Sequence, residues 1–181
     1  MTTVRIVGLG PSARGASKDA PAEMWGLPWD PFFPRYTRLF EMHDRRVFEK
    51  RGQGYLDQLI GERYSPIYMH QAHTDIPYAA PYPIQSVIAQ CGDYFNSSIA
   101  YMLALAITER FERIELYGVD MDPGSEEWHK ERPCNEYLIG LAKGRGIDVW
   151  VHPDSHLLKP QLDVLYLNER QNYVGRYGKL D

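Results

Sequence analysis

An α/β domain with a mostly parallel sheet of about five strands and helices on both faces is what this sequence predicts, on three observations. Short β-branched or apolar runs alternate with stretches of helical periodicity, the first such run ends in a glycine-rich turn, and neither a cysteine framework nor a membrane span competes with that reading. At 181 residues the chain is near the size of one ordinary domain and can bury a substantial core without cross-links. The expected division is a domain over 1–160 and a C-terminal tail over 161–181 packed on it.

Thr3 to Val7 is the first strand, β-branched at most positions and stopped by Gly8. Arg14 to Arg35 carries four prolines and two tryptophans, which rules out a long regular helix and predicts a loop with one short helix. Arg38 to Met42 supplies a second strand, Glu49 to Glu62 a helix and Pro66 to His70 a third strand, an alternation that implies parallel pairing. Pro77, Pro81 and Pro83 mark another loop. Beyond it, Ile99, Met102, Leu103, Ala106 and Ile107 fall at helical spacing within Ser97 to Phe111, with Asn96 or Ser97 as the N-cap. Ile114 to Gly118 is the next strand, Cys134 to Lys143 a helix stopped by Gly144 and Gly146, and Asp148 to Val151 a fifth strand. In the tail, Asp163 to Leu167 reads as a short strand, and residues 168–181 are polar and tyrosine-rich without period.

The bulk composition narrows the function. A formal net charge of −4 argues against a nonspecific nucleic-acid clamp, which needs a basic footprint to displace counterions from phosphate. Cys91 and Cys134 form no C-x-x-C pair, so neither a disulfide scaffold nor a zinc site is indicated and a reducing, cytoplasmic setting is expected. No stretch approaches the roughly 20 apolar residues of a membrane span, and the N-terminus runs directly into a strand rather than a signal peptide. A homo-oligomer is compatible with this composition.

Gly8-x-Gly10-x-x-Ala13 fits a G-x-G-x-x-G/A pattern and stands between the end of a strand and the next element. Glycines there let the backbone turn sharply and approach a phosphate, while exposed amides favour negative charge; Ser12 adds a hydroxyl donor. The alternative is a tight strand-to-helix turn with no ligand. A standard NAD site fits less well, because a proline-broken segment replaces the long first helix and Glu41 and Asp44 come late for a ribose ligand. A mononucleotide or nucleotide-sugar in a Rossmann-like domain is therefore favoured.

Ligands in open α/β sheets sit beyond the carboxyl ends of the strands, which selects Glu41, His43, His70, His73, Asp120, Asp122, His152, Asp154 and His156. Asp120 and Asp122, with Glu126 and Glu127 nearby, supply the hard oxygen ligands that suit Mg²⁺ on a polyphosphate; the competing reading is a solvated loop in which Asp120 caps a turn. Asp120 and His156 are the catalytic candidates, since imidazole titrates near neutral pH and can act as a general base. The spacing His152-x-x-x-His156 would put both rings on one helical face, but Pro153 argues against a helix and hence against a metal pair. Arg14 and Lys18 follow the glycine loop and can neutralise phosphate, with Arg132 available from the other side. Trp25-Gly26-Leu27-Pro28-Trp29 either walls a base or sugar or covers the sheet edge.

Two segments carry a resemblance. Gly8-Leu9-Gly10-Pro11-Ser12 resembles the G-x-G-P-S loop of the family related to 6-hydroxymethylpterin diphosphokinases and of the bacterial sialyltransferases that use CMP-sugar donors. Asn96-Ser97-Ser98-Ile99-Ala100, then an apolar helix and Arg113-Ile114-Glu115-Leu116-Tyr117-Gly118-Val119-Asp120, looks like the same families' small-residue helix start and strand ending in G-x-D. The resemblance spans about a third of the chain, and Leu9 stands where the sialyltransferase-like loop commonly has asparagine. It implies that the two segments face one another, so that Gly8, Gly10, Pro11, Ser12, Arg14, Asn96, Ser97 and Ser98 surround a nucleotide. The function so implied is a nucleotide- or nucleotide-sugar-dependent transferase moving a glycosyl or phosphoryl group, with Mg²⁺ in the phosphoryl case. A noncatalytic module that binds or sequesters a nucleotide, and an NAD(P)-dependent enzyme built on the glycine pattern, are the other two readings.

Overall fold

Alternation along the strands sorts the core into two layers. Val4 and Ile6 of β1 (Thr3–Val7) and Ile114 and Leu116 of β6 (Arg113–Tyr117) face one layer, while Val7 and Tyr117 face the other. The computed structural model describes residues 1–17, 22–29, 36–62, 65–123 and 125–159. Among the described residues seven strands, all paired in parallel, form a single sheet: β2 (Glu23–Gly26), β3 (Arg38–Phe40), β4 (Ile67–Met69), β5 (Ala79–Pro81) and β7 (Asp148–Val151) join β1 and β6 in the order β5-β4-β3-β2-β1-β6-β7. A parallel sheet needs cover on both faces, and it has it. The short helices α1 (Arg45–Glu49) and α2 (Gln53–Gly61) and the 3-10 turn Pro11–Gly15 bring Phe48, Tyr55, Leu59 and Ala13 to one side. On the other lie α3 (Ile84–Cys91), α4 (Ser98–Thr108), α5 (Glu126–Lys130) and α6 (Arg132–Gly144).

The parallel α/β class stands, with the strand count corrected from about five to seven. β2 lies inside the Arg14–Arg35 stretch expected to be a loop, and β5 lies in the proline-marked stretch before the long helix. The helix expected over Glu49 to Glu62 is two helices, because Gly52 adopts φ 97° and ends the helical run between them. α3 was not expected at all. The tail 161–181, with its Asp163 to Leu167 strand, falls outside the described residues, as does Lys18. Both cysteines are free and buried. Among the described residues no helix is long and apolar enough to cross a membrane.

α4 is apolar all round and is buried along nearly its whole length against α3, α6 and β1, as such a helix must be. Its start is fixed by Ser97, whose hydroxyl accepts the Ala100 amide at 3.1 Å and donates to Asn135 Oδ1 at 3.1 Å. Ser97→Ala is expected to lose about 1 kcal/mol of stability, read as a fall of about 2–4 °C in the thermal midpoint. An unchanged midpoint would mean that water replaces the hydroxyl at no cost.

The chain adds strands outward from β1 to β5, then crosses back through α3 and α4 to place β6 on the opposite side of β1. The carboxyl ends of β1 and β6 are therefore a topological switch point, where diverging connections leave a crevice.

Candidate functional site

At the switch point the turns after β1 and β6 are zipped together. Gly8 N donates to Tyr117 O at 2.8 Å and Gly10 N to Gly118 O at 2.9 Å. Neither Gly8 nor Gly10 has a positive φ, and Gly10 sits at −68°. Close approach is what demands glycine. A Cβ on Gly8 would fall on the Gly118 carbonyl oxygen, and one on Gly10 would lie 2.5 Å from Asp120 Oδ2 and 2.9 Å from Gly118 O. Gly118 is itself at φ 65°, and a Cβ there would meet Gly8 O at 2.5 Å.

Ser12 and Asp120 complete this joint. Asp120 accepts the Ser12 amide at 3.0 Å and the Ser12 hydroxyl, while Ser12 Oγ accepts the Gly118 amide at 2.8 Å. Both residues are buried, so these bonds satisfy groups that water cannot reach. Ser12 is thus spent on shaping the turn, and the Asp120 carboxylate is its anchor.

A crevice of about 310 Å³ opens above the joint. Gly8, Leu9 and Gly10 form one wall with Gly118 to Asp122; Ser98 and Ile99 contribute the start of α4; Leu27, Pro28 and Trp29 follow β2; Glu41 and His43 follow β3; Arg51 reaches in from the turn between α1 and α2, and Tyr55 from α2. Leu9, Trp29, Arg51 and Tyr55 also frame a shallower recess at its mouth, with Trp29 stacked on Tyr55 at 5.4 Å. The volume lies at the small end of small-molecule sites. Trp25, by contrast, packs in the core against Phe40 and Phe111.

Of the sequence-selected residues, Gly8, Gly10, Trp29, Glu41, His43, Ser98, Asp120 and Asp122 line the crevice. Pro11 and Arg14 lie on the exposed side of the 3-10 turn, Asn96 is exposed outside the wall, and Ser97 is occupied as the cap. His156 is not part of the wall. Its amide donates to Asp120 O at 2.8 Å, its Nδ1 is 3.6 Å from Asp122, and its ring meets Trp128 edge-on. Arg132 lies 3.9 Å over the Trp128 ring and pairs with Glu136. His152 packs against Tyr117 and Trp150, His70 against Tyr101 and His73 against Phe48. Among the described residues no three His, Cys, Asp or Glu side chains converge on a metal position; the side chains of Glu126 and Glu127 lie outside that description.

Of the groups that line the crevice, Glu41 and Tyr55 are displaced from their ordinary values. Glu41 is 2% exposed and accepts the His43 amide at 3.1 Å, His43 Nδ1 at 2.5 Å and the Tyr55 hydroxyl, with Arg51 Nη1 at 3.9 Å. Burial pushes its pKa up, but the hydrogen bonds from His43 and Tyr55 outweigh that and hold it below the usual glutamate range. Burial, then the Glu41 charge, pushes the Tyr55 phenol well above its ordinary value. The Arg51 guanidinium lies 5.0 Å over the Tyr55 ring.

This architecture has counterparts among solved structures. The Campylobacter jejuni sialyltransferase CstII with CMP-3FNeuAc aligns with a TM-score of 0.54 at 15% identity, over 87% of this chain and 83% of that one. CstII with cytidine-5'-monophosphate aligns at 0.52 and 17% identity, over 92% and 83%. An alpha-2,3-sialyltransferase of the same organism in apo form aligns at 0.51 and 15% identity, over 92% and 78%. The likeness is one of fold. No protein-family profile and no curated protein sequence matches the chain.

Sequence reading missed Arg51 and Tyr55. Nothing local marks them: one is a cation in a polar stretch and the other an apolar-face residue of a helix, and only the fold carries them to the crevice beside Glu41.

Proposed function

We propose that this chain is a nucleotide-sugar-dependent glycosyltransferase whose donor phosphate lies over Gly8 and Gly10 against the Ser98 end of α4. One observation carries the reading: a crevice at the sheet's switch point joins a closely packed glycine turn, the start of an 11-residue helix and the Arg51 guanidinium. Helix amides and an arginine favour an anion, and the lining rings of Trp29 and Tyr55 suit a base or sugar face. The fold likeness to sialyltransferases solved with CMP and CMP-3FNeuAc supports cytidine as the first base to try. In this reading Ser12, Asp120, Asn96 and Ser97 shape the two phosphate-facing turns, Pro11 opens the 3-10 turn behind them, and Arg14 adds positive charge nearby. A phosphoryl-transfer variant would look to Asp120 and Asp122 for Mg²⁺, but both Asp120 carboxylate oxygens are taken by Ser12 and Asp122 is 70% exposed at the crevice rim, so the pair fits the ion poorly and the glycosyl reading is preferred.

Calorimetric titration with CMP, UMP, GMP, AMP and NAD, with and without Mg²⁺, tests the proposal, followed by release of CMP from CMP-N-acetylneuraminate. Selective CMP binding that weakens at least tenfold in Ser98→Glu, where a carboxylate meets the donor phosphate, is the expected result. Binding without turnover of any nucleotide sugar would leave a nucleotide-sequestering module. Failure of every nucleotide to bind would refute the reading.

A further inference from the structure

Glu41 and His43 form a pair built like a positioned general base. β3 ends at Phe40, so the next residues emerge at the carboxyl edge of the sheet; Glu41 turns into the protein and His43 turns out, with its side chain 42% exposed. A buried, ionised carboxylate can only accept hydrogen bonds. Its contact with His43 Nδ1 at 2.5 Å therefore places the ring proton on Nδ1 and leaves Nε2 as an acceptor, which faces the Arg51 guanidinium. The Tyr55 hydroxyl and the His43 amide hold the same carboxylate from two further directions, so the group that orients the ring is itself fixed at three points. Among the described residues His43 is the histidine that lines the crevice.

From this geometry we propose that His43 is the base that takes the proton of the hydroxyl acceptor, with Glu41 as its positioning residue. The assignment rests on the glycosyltransferase reading. In the step, the acceptor O–H proton passes to His43 Nε2 and the acceptor oxygen forms a bond to the anomeric carbon. The bond from that carbon to the nucleotide's phosphate oxygen breaks, and its electron pair leaves on the phosphate. Arg51 faces both events. Its Nη2 lies 3.4 Å from His43 Nε2 and 3.5 Å from Nδ1, too far for a strong bond, and its side chain is 41% exposed. For Nε2 to take the proton, Arg51 must leave it, and a donor phosphate in the crevice offers the guanidinium a stronger, doubly hydrogen-bonded partner. Tyr55 remains a neutral phenol that holds Glu41 and takes no proton from the acceptor. Glu41 stays ionised throughout, which keeps the Nδ1 proton in place and stabilises the imidazolium that forms.

The test uses the full chain and CMP-N-acetylneuraminate, with water as the acceptor. His43→Ala is expected to bind CMP within twofold of wild type, to stay folded at the assay temperature with a somewhat lower thermal midpoint, and to release CMP at least 100-fold more slowly, with partial recovery on adding imidazole. Ring-nitrogen NMR is expected to show the Nδ1–H tautomer in wild type and a mixture of tautomers in Glu41→Gln, a readout that a merely structural Glu41 would not move. Turnover by His43→Ala within threefold of wild type, or an Nε2–H tautomer in the wild-type protein, overturns the assignment while the nucleotide reading stands. A wild type that binds no CMP and cleaves no nucleotide sugar overturns both.

Discussion

Gly8→Ala is expected to be among the most damaging single substitutions in the molecule, lowering stability by about 3 kcal/mol or more. The methyl would land on the Gly118 carbonyl, and main chain cannot rotate away as a side chain can. Gly118 is held in place by the Gly8 and Gly10 turn and by its own amide on Ser12, so relief requires the ends of β1 and β6 to part. Gly10→Ala presses chiefly on the Asp120 carboxylate and is expected to cost about 1–3 kcal/mol. Because the offending atoms belong to a side chain, Asp120→Ala made on top of Gly10→Ala should cost less than Asp120→Ala alone. Denaturant melts of the three variants measure that coupling. Additive losses would show that Gly118 O, at 2.9 Å, is the real obstacle at Gly10. Either way the loop glycines carry a packing duty, so a binding defect in Gly10→Val would confound folding with recognition.

That double duty explains what was legible at the site. A glycine pattern after the first strand pointed to a turn that lines the crevice, because phosphate approach and close β1–β6 contact demand the same residue. Position after a strand likewise selected Glu41 and His43 among the polar candidates. Chain spacing could not tell which of Asp120, His156 and His43 would share a wall. That depends on how far each turn folds over the crevice, and the turn carrying His156 folds back onto Asp120 instead.

The fold was legible wherever an element had its own pattern. β1, β3, β4, β6 and β7 carry β-branched or apolar runs, and α4 and α6 carry helical periodicity. β5 is Ala-Ala-Pro, with no strand preference in any residue, and exists only because β4 offers it an edge. β2, Glu-Met-Trp-Gly, is masked by surrounding prolines. α3 was hidden by Pro81 and Pro83, read as loop marks, although Pro83 occupies the N-cap position, where its missing amide costs nothing. Proline spoke correctly about where helices cannot continue and said nothing about where one begins.

Acid should weaken the protein through Glu41 in a way that Glu41→Gln removes. Its folded pKa lies below the usual range, so the carboxylate's contribution is fully present above the unfolded value and is lost as pH falls through the folded one. In stability measurements from about pH 7 down to about pH 3, wild type should lose this contribution progressively below about pH 5. At neutral pH Glu41→Gln replaces one acceptor with an NH₂ that must face a donor, either His43 Nδ1–H or the Tyr55 hydroxyl, and is expected to cost about 2 kcal/mol. Toward pH 3 the gap between the two proteins should narrow, since a protonated glutamic acid has also traded an acceptor for a donor. Tyr55→Phe, which leaves the carboxylate with His43, should lose less at neutral pH and keep most of the acid sensitivity. A gap that stays constant across this range would mean that the carboxylate's charge is not what the surrounding donors recognise. The orientation of His43 would then have to come from its backbone alone.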